Sequence, residues 1–401
     1  MRSRLAFGLA LTILALALAA PGFWRPVEDP DIWWLLWAGE NMDIAVNGFS
    51  WTAPNHPWVL HEPLVARVYA AVGPHGIGPV RGLLHAVLVG TLLMVAWRKR
   101  RGWSSVVGLL WLMPLLSLGL SERAMAWGLT AAALQALCHH LGRHGLAALC
   151  VGLWSWVHGS FPLGVAVALA TSPRHGLLAL VLTLPRFEAW LLAFQYLGGG
   201  GTMALLKGHI DEWGWLVPDS VPQALRLAAV GAAIVVARKR PLLLVLLVPL
   251  AVRHWRMCAP LGVFLLGPMV DGLRLPRRAC ANPLPWMLAG LLPAAVLSEP
   301  ELVEPDVHPV RGALYNDLTL GGWLGYRGYA PFWDARNDCY PQDVYADGLR
   351  VAYRHDLAVL DAWQIRQVLT RDADLARNLQ DHGFRIQQES GRLWLLVRKL
   401  E

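Results

Sequence analysis

Residues 80–101 read VRGLLHAVLVGTLLMVAWRKRR and indicate the fold class. An apolar run over residues 80–97 ends in a block of four basic residues, 98–101. Apolar runs of this length favour membrane helices, and basic clusters beside them stay on the cytoplasmic side. The sequence therefore predicts a membrane helix whose C-terminal end faces the cytoplasm.

The composition of the whole chain agrees with a membrane setting. Of 401 residues, 55% are hydrophobic and 16% are charged, and the mean hydropathy is +0.40. These values exclude a soluble multidomain enzyme and intrinsic disorder. The isoelectric point is near 9.4, but the basic residues form short clusters between apolar runs, which argues against nucleic-acid binding. The five cysteines are scattered, so they predict neither a disulfide framework nor a metal site.

Working outward from residues 80–101, the alternation of apolar runs and basic clusters predicts about 11 membrane spans. Residues 5–22 are either a first span or a signal peptide. Further inner clusters at 139–144, 238–240 and 274–278 agree with a cytoplasmic N-terminus. Of twelve acidic residues before residue 299, eleven then fall on the outer face. We therefore expect an α-helical polytopic membrane domain over 1–298, with an outer loop at 23–79, followed by an extracytoplasmic domain over 299–401.

The C-terminal part differs in charge and pattern. Residues 299–401 hold 12 basic and 16 acidic residues, against 23 and 12 in residues 1–298. The pattern predicts a small α/β domain with a hairpin turning at Ser390 and Gly391. Asp334, Arg336 and Asp338 indicate a salt-bridged strand end or a site. The predicted strands lie near 312–315, 330–334 and 357–360, the helices near 361–370 and 372–381, and the hairpin strands at 384–388 and 393–397.

The outer loop carries a cluster of carboxylates. Glu28, Asp29 and Asp31 lie within four residues, and Asp31 is placed to cap a helix beginning at Ile32. Trp33, Trp34 and Trp37 would share one face of that helix, as expected of a helix in the lipid headgroup layer. A second short helix is predicted to start at Pro63. The acids are either a general base with a bound divalent ion, or a helix cap beside solvated loop acids.

Isolated ionisable residues also occur at the other outer turns. Arg123, Arg253 and His254 lie between apolar runs, where they either bind a charged group or form ion pairs and contact headgroup phosphates. His158 is either a catalyst or a hydrogen-bonded interface residue, and Glu212 is either a second acid or an interfacial anchor. Together they favour a site for a phosphate-bearing lipid, with arginines for its charge and a carboxylate for an incoming hydroxyl.

These residues resemble a family of bacterial multispan proteins related to the GT-C glycosyltransferases, which act on lipid-linked sugars. Asp29-Pro30-Asp31-x-Trp33-Trp34 is similar to the family's opening motif. Leu35 stands where the family has a histidine, and Pro63 where it has a tryptophan. Other similar stretches, in family order, are Ser50-Trp51-Thr52, Pro57-Trp58-Val59-x-His61-Glu62, Arg123, Trp156-x-His158-Gly159, Glu212-Trp213, Arg253-His254, Tyr315-Asn316-Asp317, Gly321-Gly322 and Asp334-x-Arg336.

The resemblance implies a membrane glycosyltransferase of the bacterial inner membrane, with membrane lipids and a polyprenyl-phosphate-linked sugar as its partners. It would transfer the sugar to an envelope acceptor on the periplasmic face. Asp29 or Asp31 would be the general base, and a divalent cation, Mg or Mn, would bind these two residues if one is used. The implied substrate contacts are Glu28, His61, Glu62, Arg123, His158, Glu212, Arg253 and His254.

Two other classes stay open at the sequence level. A lipid-linked-saccharide transporter would carry essential charges inside its spans and inverted repeats. A non-catalytic envelope-assembly protein is favoured by the loss of the family histidine at Leu35.

Overall fold

The computed structural model describes residues 29–41, 50–53, 62–98, 103–116, 124–198, 215–273, 304–310, 312–336 and 339–398, together with Ile13 and Leu60. The chain forms two compact units. The bundle unit comprises Met1–Val27, His75–Phe194 and Ile210–Glu301, and the tail unit comprises Glu28–Pro74, Gln195–His209 and Leu302–Glu401. The predicted outer-loop residues 28–74 therefore belong with the C-terminal residues. The domain boundary expected at residue 298 lies outside the described residues.

The bundle unit is helical. Helix α2 begins in the tail unit at Pro63, is interrupted at Gly73, where φ is +66°, and ends in the bundle at Arg98. Helix pairs α4/α5, α3/α11, α5/α7 and α6/α7 pack against each other. The remaining bundle helices are α3 (Trp103–Leu116), α4 (Ala124–His140), α5 (His144–Trp154), α6 (Phe161–Thr171), α7 (Pro173–Thr183), α8 (Phe187–Gly198), α9 (Val221–Val236), α10 (Pro241–Arg253) and α11 (Cys258–Gly272).

The expectation of an 11-span polytopic membrane fold is wrong. Among the described residues, one helix, Pro63–Ala96, is long and apolar enough to cross a membrane. Helices α5, α6 and α7 have 11 residues each, or about 16 Å of helix against a hydrocarbon core of about 30 Å. Short turns at Arg143 and Ser172 separate these apolar runs. Each run was counted as one span although its helix is too short to cross a membrane, so the predicted number of spans was too high.

The bundle unit has an apolar core and an apolar surface. Its interior holds small side chains, including Ala148, Ala168 and Ala179, which allow the helices to pack closely. Large apolar side chains are also exposed on its outside. They include Leu146, Leu149 and Leu153 on α5, Leu177, Leu178 and Val181 on α7, Phe187, Leu191 and Phe194 on α8, Val221, Leu225, Ile234 and Val235 on α9, and Leu242 and Val245 on α10.

The tail unit is built on a mixed four-stranded sheet in the order β1-β2-β4-β3. Strand β1 (Leu314–Asn316) is parallel to β2 (Gln367–Thr370), and β4 (Leu393–Arg398) is antiparallel to both β2 and β3 (Phe384–Ser390). All four residues of β2 are buried, as expected of a central strand. The helices of this unit are α1 (Asp31–Glu40), α12 (Gly321–Tyr326), α13 (Gln342–Arg354), α14 (Ala358–Ala362) and α15 (Ala373–Asp381).

The sequence predictions for the C-terminal part are confirmed at its ends and wrong in its middle. The hairpin is confirmed, with Gly391 at φ +60° in its turn, as are the strand near 312–315 and the helix near 372–381. The strand predicted near 357–360 is helix α14, and part of the helix predicted over 361–370 is strand β2. Residues 330–334 form no strand, because the Asn316 side chain bonds their backbone in place of a neighbouring strand.

Candidate functional site

The acidic motif lies at the start of α1 in the tail unit, and each of its two carboxylates accepts a hydrogen bond from within the motif. The Asp31 backbone N–H donates to Asp29 Oδ1 at 3.0 Å, and the Trp34 indole N–H donates to Asp31 Oδ1 at 3.2 Å. Both aspartates are half-buried. These hydrogen bonds hold the two side chains in fixed orientations.

The prediction of a helix here is confirmed, but the expected cap is wrong. Asp31 is the first helical residue and Pro30 precedes it, so the Asp31 side chain lies inside the first turn and not at the cap position. Asp29 takes the role of acceptor beside the helix start, because its side chain receives the Asp31 N–H. A sequence pattern of two aspartates around one proline does not show whether Asp31 caps the helix or is its first residue.

The tryptophans of α1 contact protein in the tail unit, contrary to the headgroup-layer expectation. Trp33 and Trp34 are 5% and 8% exposed. The Trp33 ring lies 5.4 Å from that of Tyr326, and the Arg336 guanidinium lies 5.8 Å from the Trp37 ring centroid. An aromatic helix face of this kind also fits a buried position, and here C-terminal residues of the same unit cover it.

The second motif stretch is held by the same part of the tail unit. Ser50 Oγ donates to the Pro331 and Phe332 carbonyls at 3.3 Å each, Thr52 Oγ1 donates to the Phe332 carbonyl at 2.6 Å, and the Trp51 indole donates to the Leu314 carbonyl at 3.0 Å. These residues therefore join the loop to the C-terminal sheet. This role explains their residue types without a direct part in chemistry.

Glu62 lies immediately before α2 in the tail unit, half-buried, and its carbonyl accepts the Ala66 N–H at 3.0 Å. It thus begins the helix predicted to start at Pro63, which is confirmed. Four other predicted site residues, Glu28, His61, Arg123 and Glu212, lie outside the described residues.

The remaining predicted residues lie in the bundle unit. His158 is half-buried at the turn before α6, where its Nδ1 lies 2.6 Å from Ser160 Oγ and accepts the Ser160 backbone N–H at 3.1 Å. Arg253 ends α10 and is exposed, whereas the adjacent His254 is 5% exposed. Since Asp29, Asp31 and Glu62 belong to the tail unit, a single cavity shared with His158 and Arg253 stays a prediction.

Three buried cationic or titratable residues of the bundle were not singled out from the sequence. Arg81 and His85 are 1% and 0% exposed, one turn apart on α2, and Arg226 is 6% exposed on α9. Arg226 Nε donates to the Pro114 carbonyl at 3.3 Å, and its guanidinium lies 4.5 Å from the Trp255 ring centroid. The sequence could have identified them as isolated basic residues within apolar runs, because such residues are buried only where the fold supplies contacts.

The described residues do not fit a metal site. No group of three or more His, Cys, Asp or Glu side chains in the described ranges is placed to hold an ion. Asp29 and Asp31 each use one carboxylate oxygen within the motif, and Leu35, at the position of the family histidine, is a fully buried core residue. We therefore assign no metal-ligand role to these aspartates.

Asp334 and Arg336 form a buried structural pair in place of the predicted strand end. Arg336 Nε and Nη2 donate to the Asp334 carboxylate at 2.9 and 2.6 Å, and Tyr340 Oη donates to it at 2.6 Å. Burial would lower the pKa of Arg336, but the Asp334 charge outweighs it and raises that pKa well above its ordinary value. The Asp334 carboxylate therefore fixes the guanidinium beside Trp37. Asp338 lies outside the described residues.

Comparison with solved structures relates this fold to a known enzyme. The oligosaccharyltransferase of the archaeon Archaeoglobus fulgidus, tethered to an acceptor peptide, matches with a TM-score of 0.51 at 11% identity, covering 92% of this chain and 69% of that one. Its apo form matches with a TM-score of 0.50 at 11% identity and the same coverage. The fold is similar to that of an archaeal oligosaccharyltransferase.

A third structure of that enzyme, AglB in complex with an inhibitory peptide and a dolichol-phosphate, matches with a TM-score of 0.48 at 10% identity, covering 90% of this chain and 69% of that one. No protein-family model matches the chain, and no curated protein matches it in sequence. The structural neighbours in these comparisons are archaeal oligosaccharyltransferases, and the likeness is one of fold. The bacterial family itself is not identified by these comparisons.

Proposed function

We propose that the chain is a membrane glycosyltransferase that transfers a sugar from a polyprenyl-phosphate-linked donor to an envelope acceptor on the periplasmic face of a bacterial inner membrane. The observation that carries the proposal is the pair of fixed, half-buried carboxylates, Asp29 and Asp31, at the start of α1. The similarity of the fold to that of an oligosaccharyltransferase supports the reaction class.

The proposed reaction is a substitution at the anomeric carbon of the donor sugar. Asp29 or Asp31 accepts the proton of the acceptor hydroxyl, whose oxygen forms the new bond to that carbon. The bond from the same carbon to the carrier phosphate breaks, and the phosphate leaves with the electron pair. Pairing of Arg253 with the phosphate, and orientation of the substrates by His158 and His254, stay predictions of the sequence.

The surface of the bundle unit supports a membrane location. Large apolar side chains are exposed on α5, α7, α8, α9 and α10, with Val221 and Val245 75% and 73% exposed. In the described part of the tail unit, such side chains are few. Extended apolar patches are uncommon on soluble proteins and are typical of surfaces that contact lipid. The membrane location therefore rests on this surface and on the basic clusters of the sequence.

The test compares lipids and glycans in a deletion strain complemented with wild-type or variant chains. Asp29→Asn and Asp31→Asn preserve size and hydrogen-bonding capacity but remove the base, so we expect each to lose at least about 100-fold of the transfer product. Asp306→Asn is the matched control, because the Asp306 side chain is 90% exposed in the same unit. Unchanged glycans in both motif variants at wild-type protein levels would exclude the enzyme.

A non-catalytic envelope-assembly protein is the second candidate, favoured by the buried Leu35 in place of the family histidine. It predicts that Asp29→Asn and Asp31→Asn keep full function, whereas removal of residues 302–401 abolishes it. The two candidates therefore give opposite results for the same point variants.

A further inference from the structure

Gly322, in α12 of the tail unit, contacts the backbone between the two aspartates. A Cβ atom at this position would lie 2.9 Å from the Pro30 carbonyl oxygen and 3.3 Å from both Trp33 Cβ and the Trp34 nitrogen. Cβ atoms do not approach backbone oxygens this closely without displacing them. Glycine at 322 thus sets how near the start of α1 approaches α12.

Two further contacts hold α1 in place within the same unit. Trp33 packs against Tyr326, the last residue of α12, at 5.4 Å between ring centroids. One turn further along, Trp37 contacts the guanidinium of Arg336. That guanidinium is itself fixed by the buried Asp334 carboxylate. The start and the middle of helix α1 therefore pack against residues that lie almost 300 positions later in the chain.

The Gly322 contact is coupled directly to the acids. Pro30 separates Asp29 from Asp31, and the Asp31 N–H donates to Asp29 Oδ1 across it. A shift of the Pro30 carbonyl must therefore move or break this hydrogen bond. The Pro30 carbonyl and the Asp31 nitrogen belong to one planar peptide unit, so a shift of that carbonyl also moves the N–H that donates to Asp29.

We propose that Gly322 is a positioning residue for Asp29 and Asp31, so that the C-terminal domain sets the orientation of the acidic motif. The inference rests on the proposed function, in which one of these acids is the general base. Gly322 touches no reacting group and acts through Pro30. Misplacement of a catalytic group by about 1 Å lowers rates by about 100-fold, which sets the effect expected of a Cβ at this position.

The experiment compares Gly322→Ala with Gly348→Ala in the intact, membrane-extracted chain. Gly348 is the matched control, because a Cβ there would lie 2.4 Å from the Trp333 ring, inside the tail unit and not against residues 29–34. Hydrogen exchange measured by mass spectrometry reports on the backbone of residues 29–40. We expect faster exchange there in Gly322→Ala and wild-type exchange in Gly348→Ala.

The glycan profile of the complemented deletion strain is the second readout. We expect Gly322→Ala to reduce the transfer product by about 10- to 100-fold at a protein level equal to that of Gly348→Ala. Trp37→Leu, which removes the Arg336 contact without overpacking, should produce a smaller loss together with faster exchange in α1. This variant keeps the inference testable if Gly322→Ala does not accumulate.

The outcomes separate the two proposals. Wild-type exchange over residues 29–40 in both Gly322→Ala and Trp37→Leu would overturn the positioning role, even if Asp31→Asn abolishes transfer. Faster exchange in these variants, with an unchanged glycan profile in Asp29→Asn and Asp31→Asn, would instead overturn the proposed function. Equal losses in Gly322→Ala and Gly348→Ala would also overturn the positioning role, since damage to the domain core would then explain both.

Discussion

At the scale of single residues, Asp334 and Arg336 form an ion pair whose side chains are 0% and 1% exposed. We expect Asp334→Asn to lower the free energy of unfolding by about 3–5 kcal/mol, because it leaves the Arg336 charge buried without its carboxylate. Tyr340→Phe removes one hydrogen bond to Asp334 and should cost about 2 kcal/mol. Thermal unfolding of the intact protein, followed by tryptophan fluorescence, measures both.

The control for this prediction is Asp374→Asn in the exposed pair with Arg377, whose side chains are 67% and 74% exposed. Exposed pairs contribute little to stability. Equal unfolding midpoints for Asp334→Asn and Asp374→Asn would contradict the role of the buried pair.

Asp317, next to the end of β1, provides a pH-dependent prediction. Burial raises the pKa of this carboxyl group, against hydrogen bonds donated by the Arg371 N–H and Thr370 Oγ1. The folded state therefore binds the proton more tightly than the unfolded chain, so this group's contribution to stability falls as pH rises above about 4. Asp317→Asn should remove this group's part of the change in the free energy of unfolding with pH. Unfolding midpoints of both proteins between about pH 4 and pH 7 check it, and parallel curves would refute it.

Residue types in the acidic motif could be predicted from the sequence, but their partners could not. The spacing of Asp29 and Asp31 indicated a helix start with two carboxylates, and both features are present. The contacts of Gly322, Tyr326 and Arg336 with that helix join segments almost 300 residues apart. Local patterns carry no information about such pairing, since it depends on which surfaces of the folded units match.

At the scale of elements, the cap of α15 carries the next prediction. Asp372 Oδ1 accepts the Asp374 and Leu375 N–H groups at 2.8 and 3.1 Å, and Oδ2 lies 3.0 Å from His355 Nε2. Asp372→Ala should lower the free energy of unfolding by about 1 kcal/mol, because two helix N–H groups lose their acceptor. Asp372→Asn keeps the cap and should cost less. Hydrogen exchange of residues 373–381 compares the two variants. Equal effects of both would mean that Asp372 stabilises the protein through its contact with His355 and not through the cap.

The middle of the C-terminal domain shows why element types were mispredicted. Residues 357–370 contain short apolar runs separated by polar residues, and runs of this length fit a short helix and a buried strand equally well. The structure resolves this as α14 followed by β2. The choice depends on β1 and β4, which supply the neighbours that make β2 a central strand. The hairpin needed no such information, because Gly391 and the alternation beside it specify the turn locally.

At the scale of the whole molecule, exposed apolar side chains are concentrated in one of the two units. The bundle unit carries them on most of its described helices, whereas the tail unit has an apolar core and a charged surface. The net charge of −4 in residues 299–401 agrees with this division. The proposed membrane location would explain the bundle surface, because apolar area is stabilised in lipid.

The proposed location predicts which parts of the chain a membrane-impermeant thiol reagent reaches in intact cells. In a chain with its five cysteines changed to serine, Arg377→Cys should be labelled from outside, because Arg377 is 74% exposed in the tail unit. Lys239→Cys, in the exposed turn after α9, lies within a basic cluster that should face the cytoplasm. It should be labelled only after the cells are opened. Labelling of Lys239→Cys in intact cells, or protection of Arg377→Cys, would place the tail unit and its acids on the wrong side for a periplasmic acceptor.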